Sequence, residues 1–307
     1  MTDTLHISEM PAAERIYVKW KTPAEELISV SKLAFALVDR SVTAARQVCV
    51  AVPSYTWALQ MKKAFDGIHV PVDMRIPNVP LSPKAKSGLA TLRLIAHPED
   101  PALLAAWQAA GRTDAELDKL VSEYSSAGSA ALLRVTGLQD CPELESARRH
   151  PTGEENAQQL YDLLIEQHKN PTVPEAYQLI TLMPYQLVGS HGETYEQIFF
   201  AGCIDGLIPG PAAYENDTPE KRQAALDAAR AAFQRTLNAG TKRIFVSGFA
   251  KMQVEAAQNA HVRYGRTKME NGTKLAMTQP SPFLSELESG RPSSLGGQAL
   301  LRMYHLN

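Results

Sequence analysis

The 307-residue chain carries 31 Lys and Arg against 33 Asp and Glu, a formal net charge of −2, so no global positive field recruits nucleic acid and any such contact must come from a local patch. Hydrophobic residues at 44% and charged residues at 21% are ordinary for a globular chain, and the length fits one large domain or two small ones. No apolar run approaches the roughly 18–20 residues a membrane span requires, and the N-terminus lacks the charged-then-apolar pattern of a secretion signal. The three cysteines, Cys49, Cys141 and Cys203, stand far apart without metal-ligand spacing. Cys49 and Cys203 lie in apolar runs and read as buried thiols, which suits a reducing, cytoplasmic setting.

Residues 1–14 are polar and read as a flexible tail. Ile16–Trp20 alternates as a short strand. Thr22-Pro23-Ala24-Glu25 is a capping box with proline at the first helical position, and the helix it opens places Leu27, Val30, Ala34, Leu37 and Val38 on one face, ending near Arg40. Gln47–Val52 is rich in valine and reads as a central strand. Tyr55–Phe65 reads as a helix and Val70–Met74 as another strand, a β-α-β unit that implies a parallel sheet.

The proline-rich stretch Pro77–Pro83 interrupts this pattern, and Lys84–Ala96 resumes a helix with Leu89, Leu92, Leu94 and Ile95. Residues 98–170 show helices only, with starts at Asp100-Pro101 and at two capping boxes, Thr113–Glu116 and Thr152–Glu155. They read as a helical insertion within an α/β domain. The sheet resumes at Tyr177. Ile180–Gly210 then runs strand, Gly-rich polar loop (Gly189, Ser190, His191, Gly192), strand (Ile198–Ala201) and Gly/Pro turn, the usual build of an α/β nucleotide-handling site. Asp217–Glu220 caps an alanine-rich helix reaching about Asn238, with Gly240 as its stop, and Arg243–Gly248 is a further strand. Residues 250–280 read as polar and irregular, with a basic segment at Arg263, Arg266 and Lys268. Pro280–Leu287 reads as a last helical turn or two, and 288–307 as a C-terminal tail.

Little in this series meets the requirements of known chemistry. A phosphate cradle needs G-x-x-x-x-G-K-[ST], and neither Gly-Ser-His-Gly at 189–192 nor Ser-Gly-Phe-Ala at 247–250 provides it. The strand at 47–52 is followed by Pro53 and Ser54 rather than by acids for magnesium. Asp205, framed by glycines, reads as a turn residue. No pattern fits a zinc site or a G-x-S-x-G elbow, and the neighbours Ser190 and His191 do not make a catalytic pair by adjacency. His97 and His168 read as helix-end and helix-face residues. Tyr55 and Trp57 follow one strand end, and Tyr185 and Gln186 follow another, at the edge of a parallel sheet where ligands bind. Trp57 reads first as a packing residue under the proline-rich loop and second as a ligand contact.

Several segments, taken in order, resemble the C-terminal half of superfamily 1 DNA helicases of the UvrD type. They are Val48–Phe65 (VCVAVPSYTWALQMKKAF), Leu89–Asp100 (LATLRLIAHPED), Ile180–Gly210, Lys242–Ser247 (KRIFVS), Arg263-Tyr264-Gly265 and Pro280–Leu284 (PSPFL). The resemblance spans roughly residues 16–287 and is weakest between 98 and 170. It implies a RecA-like, P-loop NTPase-type α/β domain, a parallel sheet with helices on both faces, built from 15–97 and 171–287 and carrying an all-helical inserted subdomain at 98–170.

The departures fall on the chemistry. The family's first motor domain, with its Walker lysine and magnesium acids, has no counterpart here. The family's last motif supplies an arginine to the γ-phosphate from a Thr-Arg pair, and those positions are Asn238 and Ala239. Such an arginine is commonly worth about 10³–10⁵ in rate. The family's Lys-Gly-Leu-Glu becomes His191-Gly192-Glu193-Thr194, and the loop Thr and His that touch DNA phosphates become Pro184 and Gln186.

The resemblance therefore implies a UvrD-like module that binds nucleic acid or a partner without autonomous ATPase activity. The alternative is the C-terminal motor half of an ATP-dependent helicase whose ATP-binding half lies elsewhere. Gly192, Glu193, Thr194 and Arg235 are the candidate nucleotide contacts. Tyr55, Trp57, Tyr185, Gln186, Ser190 and His191 are the candidate DNA contacts. No cofactor is expected on the chain alone, with ATP and magnesium entering only through a partner ATPase domain. The expected partners are weakly bound single-stranded or duplex DNA and a helicase, ATPase or nuclease chain, in a setting such as DNA repair.

Overall fold

The computed structural model describes residues 13–171, 178–286 and 293–306. Most of the stretch read as an N-terminal tail, residues 1–12, lies outside that description. The chain forms two compact units, Met1–Met74 with Gln178–Asn307, and Arg75–Tyr177.

The first unit begins with β1 (Glu14–Trp20), α1 (Pro23–Asp39), β2 (Val48–Val52), α2 (Tyr55–Asp66) and β3 (Val72–Met74). The helix start read from Thr22 is realised, since its hydroxyl accepts from the Glu25 N–H at 3.3 Å while the Glu25 carboxylate accepts from Lys21 N–H at 2.8 Å. The helical unit follows in sequence with α3 (Pro83–Ala96), α4 (Pro101–Ala109), α5 (Asp114–Tyr124), α6 (Ser129–Val135) and α7 (Ala157–Lys169). The first unit then resumes with β4 (Ile180–Pro184), β5 (Tyr195–Phe200), α8 (Ala212–Glu215), α9 (Pro219–Asn238) and β6 (Gly240–Phe249). It closes with β7 (Lys251–Gln253), α10 (Val254–Asn259), β8 (Tyr264–Glu270), β9 (Thr273–Thr278), β10 (Ser293–Gly296) and α11 (Gly297–Met303).

Seven strands form one sheet in the order β10-β1-β6-β5-β2-β4-β3, and every pairing is parallel. Helices flank it. The chain is thus an α/β protein with a parallel sheet. The interior strand β2, VCVAV, is buried at every position, which is why its sequence is a continuous apolar run rather than an alternating one. Cys49 pairs with Thr181 of β4 on one side and Ile198 of β5 on the other. Aromatic contacts fill the layers beside the sheet, with Phe199 stacked on Phe245 at 4.8 Å and Phe200 against Phe233 at 5.3 Å.

Within the helical unit, Leu92, Leu132, Leu138, Leu144, Leu160 and Leu164 share one buried core. The helix α3, read from sequence as the last element of the sheet domain, supplies Ala85, Leu89, Leu92 and Ile95 to that core. Of the two capping boxes read here, the one at Thr113 and Glu116 opens α5. At Thr152 only half of the box forms, its N–H and hydroxyl both donating to the Glu155 carboxylate without starting a helix, and α7 begins after a complete box, Asn156 with Gln159.

Two stretches differ from the sequence reading. Residues 251–278, read as irregular, form a second, antiparallel sheet in the order β7-β9-β8. The apolar alternation that signals a strand is missing because β8 is exposed at Gly265–Met269, on both of its faces. The surviving signal is Asn271-Gly272, whose φ angles of 50° and 78° suit a tight hairpin turn. Residues 293–306, read as tail, add β10 to the sheet beside β1 and dock α11 behind it. Gly297 lies against the Trp20 ring, where a Cβ would come within 2.0 Å of Cε3. Residues 287–292 lie outside the described residues.

Candidate binding groove at the carboxyl edge of the sheet

Because all seven strands run the same way, their carboxyl ends open on one edge, where the loops supply ligand sites in such folds. β1 leads there to Thr22, β2 to Pro53 and Ser54, β4 to Tyr185 and Gln186, and β5 to the turn at 202–210. A cavity of about 1490 Å³ lies at this edge. That exceeds the roughly 300–1,000 Å³ typical of a small-molecule pocket and suits a groove for an extended ligand. One wall is the alanine stripe Ala225, Ala228, Ala229 and Ala232 of α9, at the spacing that shares one helix face. Trp57, Leu207, Met252 and Leu275 also line it. Among the described residues, the charged ones lining it are Arg235 and Lys251, His261 and Tyr185 are further titratable lining residues, and none is Asp or Glu. The amides of Gln60, Gln186, Gln253 and Asn259 add donors and acceptors.

The residues singled out from the sequence are placed very differently from one another. Trp57 lines the groove but is 4% exposed and stacked on Phe249 at 5.6 Å, so its ring face is already used. Tyr185 is buried against Phe200, and burial raises its phenol above the ordinary range. It touches the groove only from beneath. Gln186 is exposed there, its amide 3.5 Å from the Pro53 carbonyl. Tyr55 is half-buried at the first turn of α2 and is not among the lining residues.

Ser190, His191, Gly192 and Thr194 are exposed on the β4–β5 loop and do not line the groove. The Glu193 carboxylate accepts from the backbone N–H groups of Gly189 (3.0 Å) and His191 (2.9 Å), so it closes its own loop. Arg235 does reach the groove, and its guanidinium donates to the carbonyls of Val188 (3.2 Å) and Gln186. Thr236 donates to the Tyr185 carbonyl at 2.9 Å, so the last turn of α9 ties down the loop after β4. Ala239 is buried and Asn238 exposed. Of the candidate nucleotide contacts, the groove therefore takes in Arg235 alone. Asp205 accepts from the Tyr214 hydroxyl at 2.6 Å within the 202–210 turn.

One residue that the sequence reading passed over sits at the centre of this edge. Glu26 of α1 has no solvent exposure, and its Oε1 accepts from Gly202 N–H (3.0 Å) and from the Ser247 hydroxyl (2.5 Å). Among the described residues its Oε2 has no hydrogen-bond partner. Burial pushes its carboxyl up to about 7, opposed by those two hydrogen bonds. Burial also raises the Cys203 thiol and the Tyr17 phenol beside it. The available signal was positional, because Glu26, Val30, Leu33 and Leu37 recur at helical spacing on the apolar face of α1.

Among the described residues no three or more His, Cys, Asp or Glu are grouped to hold a metal ion, and no helix is long and apolar enough to cross a membrane. No protein-family model and no curated protein matches the chain.

Proposed function

We propose that the chain is a nucleic-acid-binding module on a UvrD-like, RecA-type scaffold, that it takes single-stranded nucleic acid along the carboxyl-edge groove, and that it does not hydrolyse ATP by itself. The observation that carries this reading is the charge of the groove: Arg235 and Lys251 line it and no carboxylate does. The carboxylates nearest the lining cations, Glu270 on Lys251 and Glu215 on His261, stand outside the lining, so a polyanion meets cations first, and the four lining amides offer hydrogen bonds to bases or phosphates. The absence of ATP turnover is argued from Ala239, a buried methyl where the resemblance calls for an arginine, and from the lack of any G-x-x-x-x-G-K-[ST] run in the 307 residues. A motor half completed by a partner ATPase domain is the weaker reading, since Arg235, the cation one helical turn before the expected position, spends its guanidinium on two loop carbonyls.

The test is fluorescence anisotropy with a labelled oligothymidylate and a matched duplex, with ATP turnover measured on the same samples. Binding should be weak, with Kd of about 10⁻⁴–10⁻⁶ M, should favour the single strand, and should fall steeply with salt. No binding at low salt, or ATP turnover by the isolated chain, would overturn the proposal.

A further inference from the structure

The antiparallel sheet continues the groove on a cationic face. Directly opposed residues of paired strands project to the same side, and so do residues two apart along one strand. The register places Gln253, Leu275 and Lys268 in one cross-strand row and Lys251, Met277 and Arg266 in the next. Three residues of this face, Lys251, Gln253 and Leu275, line the groove, against one of the other face, Met252. Lys268 and Arg266 therefore stand on the groove-side face of the same sheet, on its outer strand β8, and both are exposed. Lys274 stands opposite Met269 and belongs to the other face.

The charges on the groove-side face are unequally committed. Glu270 pairs with Lys251 and lies 3.5 Å from Lys268, while Arg266 has no hydrogen bond or ion pair among the described residues. Three cations against one carboxylate leave this face positive. Same-face residues along a strand are about 6.8 Å apart, which is close to the step between consecutive phosphates of an extended single strand.

We infer that the groove-side face of the β7-β9-β8 sheet is the second half of the binding surface, with Arg266 and Lys268 contacting consecutive phosphates of a single strand that leaves the groove past Leu275. This rests on the reading of the groove given above. Glu270 acts as an internal competitor: it occupies Lys251 and Lys268 in the free protein and must yield them to the strand. Its contacts hold its carboxyl below the usual range, with Lys251 the largest cause.

The experiment is anisotropy with an oligothymidylate of about 16 nucleotides, titrated at several salt concentrations on the full chain. Three variants are compared with wild type: R266A/K268A, K274A and E270Q. Losing two phosphate contacts should reduce the slope of log affinity against log salt by about 1.4 and weaken low-salt binding about tenfold. K274A, one charge removed from the opposite face, should leave the slope unchanged, and E270Q should tighten binding. All four positions are exposed or near the rim, and circular dichroism confirms that each variant is folded. If wild type binds and R266A/K268A retains its slope, this inference fails while the groove reading stands. An equal loss in K274A overturns it in favour of diffuse charge attraction. Displacement of the oligonucleotide by polyglutamate at lower concentration than by unlabelled oligothymidylate overturns the ligand class. If wild type binds no single strand, both readings fall together.

Discussion

The Glu26 carboxylate and the Ser247 hydroxyl meet at 2.5 Å in the interior, joining the first turn of α1 to the end of β6 with neither side chain appreciably exposed. The groups facing Glu26 from the neighbouring elements are Tyr17 of β1, the Gly202 N–H and Cys203 after β5, and Ser247 of β6. None of these is a cation, so ionisation at this position is opposed by burial with no opposite charge to offset it.

We predict a pH dependence from that contact. The carboxyl moves from an ordinary 4.5 to about 7 in the folded chain. Between those values the folded state keeps a proton that the unfolded state has released. The contribution is therefore complete below about 4.5, declines as pH rises towards 7, and is flat above it, amounting to roughly 3 kcal/mol over the range. Denaturant unfolding of wild type and E26Q from about pH 5 to 8 isolates the effect. E26Q should gain on wild type as pH rises to 7 and hold that gain above it. A difference that does not vary with pH would falsify this account of Glu26.

For Trp57, the stack on Phe249 makes a stability effect the first expectation. W57A should cost about 3–5 kcal/mol, as large aromatic truncations in cores do. W57F retains a ring at the stack and should bind oligothymidylate within about twofold of wild type. A well-folded W57F that has lost binding would show that the indole meets the ligand, contrary to the packing seen here.

Arg235 acts on the loop after β4. R235M removes the donors to Gln186 and Val188 while keeping the length of the side chain. Amide hydrogen exchange over residues 185–192 should quicken, with β2 and β5 unchanged. Protection identical to wild type would mean that Thr236 holds the loop alone.

At the tip of the second sheet, Gly272 has φ of 78°, a region that costs a residue with a side chain about 1 kcal/mol. G272A should lower stability by about that amount. It should also weaken oligonucleotide binding, because the hairpin sets where Arg266 and Lys268 stand. Full binding with loosened β8–β9 protection would separate those residues from the ligand.

What could be read beforehand depended on how each element is buried. β2 and β4 are covered on both faces, so their apolar runs carried the signal, and Thr22 and Thr113 announced helix starts through side-chain chemistry that is local. β8 is exposed on both faces, so no periodic pattern existed to find. β10 is four residues long and owes its place to β1, a partner far away in sequence. The groove was legible as an edge, from the loops after β2 and β4. Its membership was not, because Lys251 and Gln253 belong to a sheet that left little trace in composition, and Glu193 and Tyr185 are committed to contacts that only the folded chain reveals.

The pairing of β1 also bears on how the chain is made. Its two neighbours are β6 and β10, with Ile16 beside Phe245 and Ser293. During synthesis β1 therefore stays without a strand on either side until β6 has followed it. Over that interval Ile16, Val18 and Trp20 are unburied on a strand with two open edges, the condition that invites mispairing and capture by chaperones. A chain cut anywhere between β3 and β6 keeps that strand unpaired, so such fragments should be less soluble than one that extends through β10.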